Sequence, residues 1–220
     1  MNKVEASGLC PLCGSAGGTF FHRDKRREYQ RCGRCSLVYV PPLYFPDRAR
    51  EKAEYDLHTN SPADAGYRNF LSRLSDPLCD RLPRASRGLD FGSGPGPTLS
   101  VMLAEAGHDI SLYDPFYAPD TSTLTGQYDF ITASEVVEHL QRPGRELTLL
   151  WRLLRPGGYL GLMTKLVRDV EAFAGWHYKN DVTHVCFFSA ATWQWWSDSV
   201  GAGLEILGDD VILLRKSGEV

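Results

Sequence analysis

The chain has 220 residues, 43% hydrophobic and 23% charged, with a formal net charge of -3 at pH 7. That length supports one substantial core and a small appendage, and the slightly acidic balance argues against a generic DNA or RNA binder held by bulk electrostatics. No apolar run approaches the roughly 20 residues that span a bilayer, and the first residues lack the apolar heart of a secretory segment, so a cytoplasmic protein is expected.

The amino-terminal region carries Cys10 and Cys13, then Cys32 and Cys35, two Cys-x-x-Cys pairs with eighteen residues between them. Thiolates so spaced can grip one ion from a tight turn, and a hairpin that brings the second pair round completes a tetrahedron, the pattern of a zinc ribbon. Two disulfides or a redox dithiol are the alternatives. A unit of about forty residues has too little core to fold unaided, so a bound Zn2+ would supply folding energy. Phe20, Phe21 and Tyr29 are expected to cover the knuckle, and Cys79 and Cys186 are left as buried thiols. The charged run at 22 to 27 reads as a solvated hairpin tip.

Pro41, Pro42 and Pro46 mark a linker. Residues 48 to 57 favour helix, and 67 to 82 place Phe70, Leu71, Leu74, Leu78 and Leu82 at helical spacing. The expected division is a ribbon over 1–40, a linker and helical lid over 41–86, and a ligand-binding domain over 87–220.

An apolar strand then ends in Asp90 and enters a turn with Gly92, Gly94 and Gly96. Glycine at alternate positions lets the backbone bend and a ligand approach it, while the helix predicted over 98 to 106 offers a positive end to a carboxylate. Asp90 can hold an ammonium. Asp114, closing the next strand, is placed to accept both hydroxyls of a ribose. A dinucleotide fingerprint would need glycine where Pro97 or Leu99 stands, and Asp90 would repel a pyrophosphate. A zwitterionic tail and a ribose together describe S-adenosylmethionine.

Glu135, Glu138 and His139 follow the strand that begins near Tyr128. Pro143 opens a helix, Gly157 and Gly158 turn it, and a strand over 159 to 164 follows. The aromatic and polar stretch from 176 to 181, with His184 beyond it, suits a wall of an acceptor pocket. Ser189 can cap a helix in which Trp193 and Trp196 share a face and Trp195 points away. Two apolar runs around Gly208 predict a closing hairpin. The fold class is α/β, a doubly wound Rossmann-like sheet.

Residues 88 to 164 resemble the class I S-adenosylmethionine-dependent methyltransferases, and nearly the whole chain is similar to uncharacterised bacterial members with an amino-terminal zinc ribbon. The resemblance implies that Asp90, Gly92, Gly94 and Gly96 line the methionine end, that Asp114 binds the ribose, and that Glu135 faces the cofactor. Only residues 115 to 127 separate the second and fourth strands, so the usual third strand must be abbreviated or missing. Tyr55 and Tyr67 are candidates to fold over the cofactor. His139 or His184 could serve as general base. The run Glu135, Glu138, His139, with His184 downstream, also resembles metal-assisted O-methyltransferases, in which such residues hold Mg2+ beside the acceptor hydroxyl. A non-catalytic scaffold or cofactor sensor is the other class. The expected acceptor is a small molecule, with RNA or protein as alternatives.

Overall fold

The computed structural model describes residues 8–57 and 60–218. The first seven residues, on which the expectation of no secretory segment rests, lie outside them. In chain order the ribbon contributes β1 (Thr19–Arg23), β2 (Glu28–Arg31) and β3 (Val38–Tyr39), followed by α1 (Arg48–Tyr55) and α2 (Ala65–Cys79). The remainder alternates β4 (Arg87–Phe91), α3 (Thr98–Glu105), β5 (Asp109–Tyr113), β6 (Tyr128–Ser134), α4 (Pro143–Leu153) and β7 (Leu154–Met163). It then runs through α5 (Val170–Ala174), β8 (Cys186–Phe187), α6 (Ala190–Val200), β9 (Gly203–Leu207) and β10 (Val211–Arg215).

Six strands form one sheet in the order β5-β4-β6-β7-β10-β9. The first four are parallel, and β10 pairs antiparallel with both β7 and β9, giving the closing hairpin. β5 is an edge strand. Between it and β6 only a 3-10 turn, Thr121–Thr125, intervenes, so the abbreviation expected from the short spacer is real.

Side-chain alternation builds the two layers. On β10, Val211 and Leu213 face a cluster with Leu71, Leu74 and Leu78 of α2 and Leu99 and Leu103 of α3. Ile212 and Leu214 face the opposite cluster with Leu147 and Leu150 of α4 and Trp193 of α6. Both faces of the sheet are thus covered, as a parallel sheet requires. Ser189 caps α6 in a reciprocal box with Thr192. Trp193 and Trp196 are buried and Trp195 is half-buried beneath the Arg34 guanidinium. β7 starts at Leu154, directly out of α4 and ahead of the glycine turn, because Leu154 already pairs with Tyr128.

The ribbon is joined to this sheet's surface through a second one, ordered β1-β2-β3-β8. Its last strand comes from far along the chain, and the same core cluster holds Tyr29, Leu37 and Val40 with Trp193 and Ile131. Three sequence expectations fail here. Phe20 covers nothing, being 68% exposed. Cys79 is only half-buried at the end of α2, whereas Cys186 is fully buried on β8. The charged run at 22 to 27 is solvated at Arg23, Lys25 and Arg26, but Arg27 turns inward and is buried.

Candidate functional site

A cavity of 650 Å³ opens at the carboxyl ends of β4, β5 and β6, where doubly wound sheets present their ligands. The glycine turn forms one end. Gly92 and Gly94 have φ of +76° and +65°, a region that side chains rarely adopt. Gly96 is required for space, since a Cβ there would meet the Asn60 carbonyl at 2.1 Å.

Asp114 braces this turn. Its Oδ2 accepts the Gly94 amide at 3.0 Å, and its Oδ1 accepts the amides of Phe116 and Tyr117 at 2.8 and 3.0 Å. Asp90 accepts the hydroxyls of Ser100 and Thr132 at 2.6 and 2.8 Å, and burial pushes its carboxyl above the usual range despite those donors. Asp114 Oδ1 is filled by its two amides, but Asp114 Oδ2 and both oxygens of Asp90 keep a further lone pair, so both acids are oriented without being used up. α1 packs on the loop that follows β5: Arg48 sits 4.6 Å over the Phe116 ring, and Tyr117 donates to Asp56 at 2.7 Å.

The opposite end gathers Glu135, His139, Lys165, Tyr178, Asp181 and His184. Glu135 has φ of +53°, strained backbone of the kind that collects at functional sites. The Tyr178 hydroxyl touches Glu135 Oε2 at 3.2 Å and also Glu138 Oε1. Both carboxyls draw on one phenolic proton, so a proton held by either acid would relieve the contact. Burial selects Glu138, which is pushed far above the usual range by desolvation and then by the charge of Glu135; Glu135 itself is pushed up to about 7, chiefly by burial.

His184 Nδ1 lies 2.7 Å from the Tyr178 carbonyl. A carbonyl only accepts, so Nδ1 carries the proton and Nε2 is the basic nitrogen of the neutral ring. Asp181 Oδ2 stands 3.7 Å from that Nε2. Burial opposes ionisation of Asp181, but bonds from Thr183 and the nearby histidines outweigh it and hold the carboxyl below its usual range. The His139 ring meets His184 edge-on at 4.6 Å and Tyr55 at 5.2 Å. The ligand atoms of Glu138, His139 and His184 all lie within 4.8 Å of one another; Glu135 is not in that group.

A second cluster lies in the ribbon, where the sulfurs of Cys10, Cys13, Cys32 and Cys35 fall within 4.8 Å of one another. Cys10 to Cys35 and Cys13 to Cys32 are each 3.5 Å, far beyond the ~2.05 Å of a disulfide. The Arg34 and Cys35 amides donate to the Cys32 sulfur, so the backbone wraps the cluster.

A family model described as a methyltransferase domain matches residues 62–207, more than half of the chain. The chain belongs to this methyltransferase family. It is also similar to a ubiquinone biosynthesis O-methyltransferase of Caulobacter vibrioides, 33% identical over 106 residues that make up 46% of this chain and 39% of the relative. Another, from Shewanella pealeana, is 28% identical over 86 residues, 39% of this chain and 36% of that one. The chain therefore matches well under half the length of these curated relatives. Among solved structures, a Burkholderia thailandensis 1,6-didemethyltoxoflavin-N1-methyltransferase with bound 1,6-didemethyltoxoflavin and S-adenosylhomocysteine aligns over 90% of this chain and 99% of its own, at 14% identity and a TM-score of 0.51. An O-methyltransferase family protein of the same organism aligns over 77% and 63%, at 15% identity and the same TM-score. These likenesses establish the Rossmann-like methyltransferase fold.

In this methyltransferase all eight residues singled out by sequence for the cofactor and for catalysis line one cavity: Asp90, Gly92, Gly94, Gly96, Asp114, Glu135, His139 and His184. Tyr55 and Tyr67 line it too. Glu138 is buried outside the lining. Sequence reasoning missed Lys165, which faces the cavity just past β7 and lies 5.5 Å from the Tyr178 ring. A lone lysine past a strand end gave no local signal.

Proposed function

We propose that this chain transfers the methyl group of S-adenosylmethionine to an oxygen or nitrogen of a small acceptor in the cytoplasm. The observation that carries the reading is the cavity itself, in which a glycine turn and Asp114 at one end face Glu135 and two histidines at the other. The donor's amino-acid tail lies along the glycine turn and its ribose on Asp114. The acceptor stands near His184, whose Nε2 takes the acceptor proton as the methyl moves: the carbon-sulfur bond breaks, a carbon-oxygen or carbon-nitrogen bond forms, and S-adenosylhomocysteine leaves. Asp181 offsets the charge that then develops on the imidazolium. A cavity volume of 650 Å³ suits small ligands better than an RNA or protein segment.

Incubating the full chain with S-adenosylmethionine and a panel of small hydroxylated and amino compounds, and measuring S-adenosylhomocysteine, tests this. Acceptor-dependent release well above the donor-only background is expected. Binding of the donor with no turnover on any acceptor would favour the scaffold or sensor instead.

A divalent ion held by Glu138, His139 and His184 is a second reading, supported by the proximity of their ligand atoms. Bound there, it would lower the pKa of an acceptor hydroxyl. Turnover that survives a chelator while the ribbon keeps its metal would reject it. For the ribbon we infer structural Zn2+. Four thiolates at zinc distances of ~2.3 Å would stand about 3.8 Å apart, close to the 3.5 Å found for two of the pairs.

A further inference from the structure

The tip of the ribbon hairpin is locked by Asp24. Its Oδ1 accepts the amides of Arg26 and Arg27 at 2.7 and 2.9 Å, and its Oδ2 accepts the hydroxyl of Tyr29 at 2.7 Å. From this fixed point the buried Arg27 side chain reaches a segment some 150 residues away. Nη2 donates to the carbonyls of Lys179 and Asp181 at 2.7 and 2.8 Å, Nη1 to that of Val182 at 3.1 Å, and Nε to the Tyr29 hydroxyl at 3.0 Å. Those three carbonyls belong to the turn that joins Tyr178 to His184, the same turn closed by the His184 Nδ1 bond to the Tyr178 carbonyl. Just beyond it, Val185 donates to the Glu138 carbonyl at 2.8 Å and accepts the Val40 amide at 3.0 Å. The turn is therefore gripped by the ribbon on both sides.

We propose that Arg27 is a positioning residue for His184, and that the ribbon braces from behind the turn that lines the acceptor site. This rests on the methyl-transfer reading, in which His184 is the base. A planar guanidinium can hold three carbonyls of one turn in register, whereas a lysine ammonium at the end of a flexible stem is a single point of charge. With Arg27 in place the turn has one conformation, and the imidazole keeps Nδ1 on Tyr178.

The test uses the full-length, metal-loaded chain labelled with 15N-histidine, and S-adenosylhomocysteine as the binding probe. The buried Nδ1 proton of His184 should give a resonance protected from solvent exchange. In Arg27→Ala it should be lost or exchange at least tenfold faster, while S-adenosylhomocysteine affinity stays within threefold and the metal content is unchanged. Arg27→Lys should lie between the two, and added guanidinium should restore protection in Arg27→Ala. An unchanged resonance in both variants overturns the proposal. Should Arg27→Ala fail to fold, Arg27→Lys decides: exchange faster than in the wild type is expected, and an unchanged rate overturns the proposal. A wild-type chain that binds no S-adenosylhomocysteine would instead overturn the methyl-transfer reading, leaving the resonance to report on Arg27 by itself.

Discussion

Tyr178 concentrates the site's chemistry, because a single hydroxyl is shared by the buried Glu138 and the half-buried Glu135. Glu135 is raised from an ordinary 4.5 to about 7, burial being the main cause and Asp210 adding to it, against Tyr178, Lys165 and Arg73. A carboxyl raised by folding stabilises the folded state fully below its unfolded pKa and loses that contribution as pH rises through the folded value. Thermal stability should therefore fall between about pH 4.5 and 7, and Glu135→Gln should flatten the slope and exceed the wild type in Tm at the upper end. Parallel slopes for the two proteins in a calorimetric pH series would contradict this. His184→Ala should lower turnover by ~10² without weakening S-adenosylhomocysteine binding, if its Nε2 takes the acceptor proton; an unchanged rate removes that role. At the other end, Gly96→Ala drives a methyl group into the Asn60 carbonyl. Titration calorimetry should find S-adenosylhomocysteine affinity reduced about tenfold or more, ~1.4 kcal/mol, and equal affinity would mean that the turn yields without cost.

The elements were legible where a local rule governs them. Helical spacing located α2, the capping residue located α6, and the glycine hairpin located β9 and β10. What escaped are features made by distant partners. β3 and β8 pair across nearly 150 residues, and each strand has two residues, too short for a periodicity. Arg27 sits in a run of charges and looks solvated until the carbonyls of residues 179 to 182 are brought to it. Phe20 failed for the complementary reason: alternation on a short edge strand gives no sign of which face is covered, and its neighbour Phe21 packs on Phe173 instead. Because the ribbon shares its core with the larger sheet, loss of the metal proposed for its four cysteines should be felt throughout. Cys32→Ser is expected to abolish zinc binding and to lower stability by about 3 kcal/mol, roughly 6–12 °C in Tm. Equal metal content and Tm in the variant would show that the four sulfurs do not act together.

At the scale of the whole molecule, the sheet order and the two covered faces place a ligand cavity at the carboxyl ends of the parallel strands, and the chain's alternation of strands and helices already implied that place. The missing third strand leaves β5 at the edge, and α1 packs through Arg48 on the loop that follows it. No described helix is long and apolar enough to cross a membrane. The acceptor leaves no comparable trace in the sequence, because its shape is written in the spacing of side chains drawn from α1, α2, the segments just past β6 and β7, and the turn before β8. Everything functional depends on the cavity taking the methyl donor. The decisive measurement is isothermal titration of the full-length, zinc-loaded chain with S-adenosylhomocysteine: saturable binding at one site per chain is expected, and no heat of binding to folded, metallated protein would contradict the account.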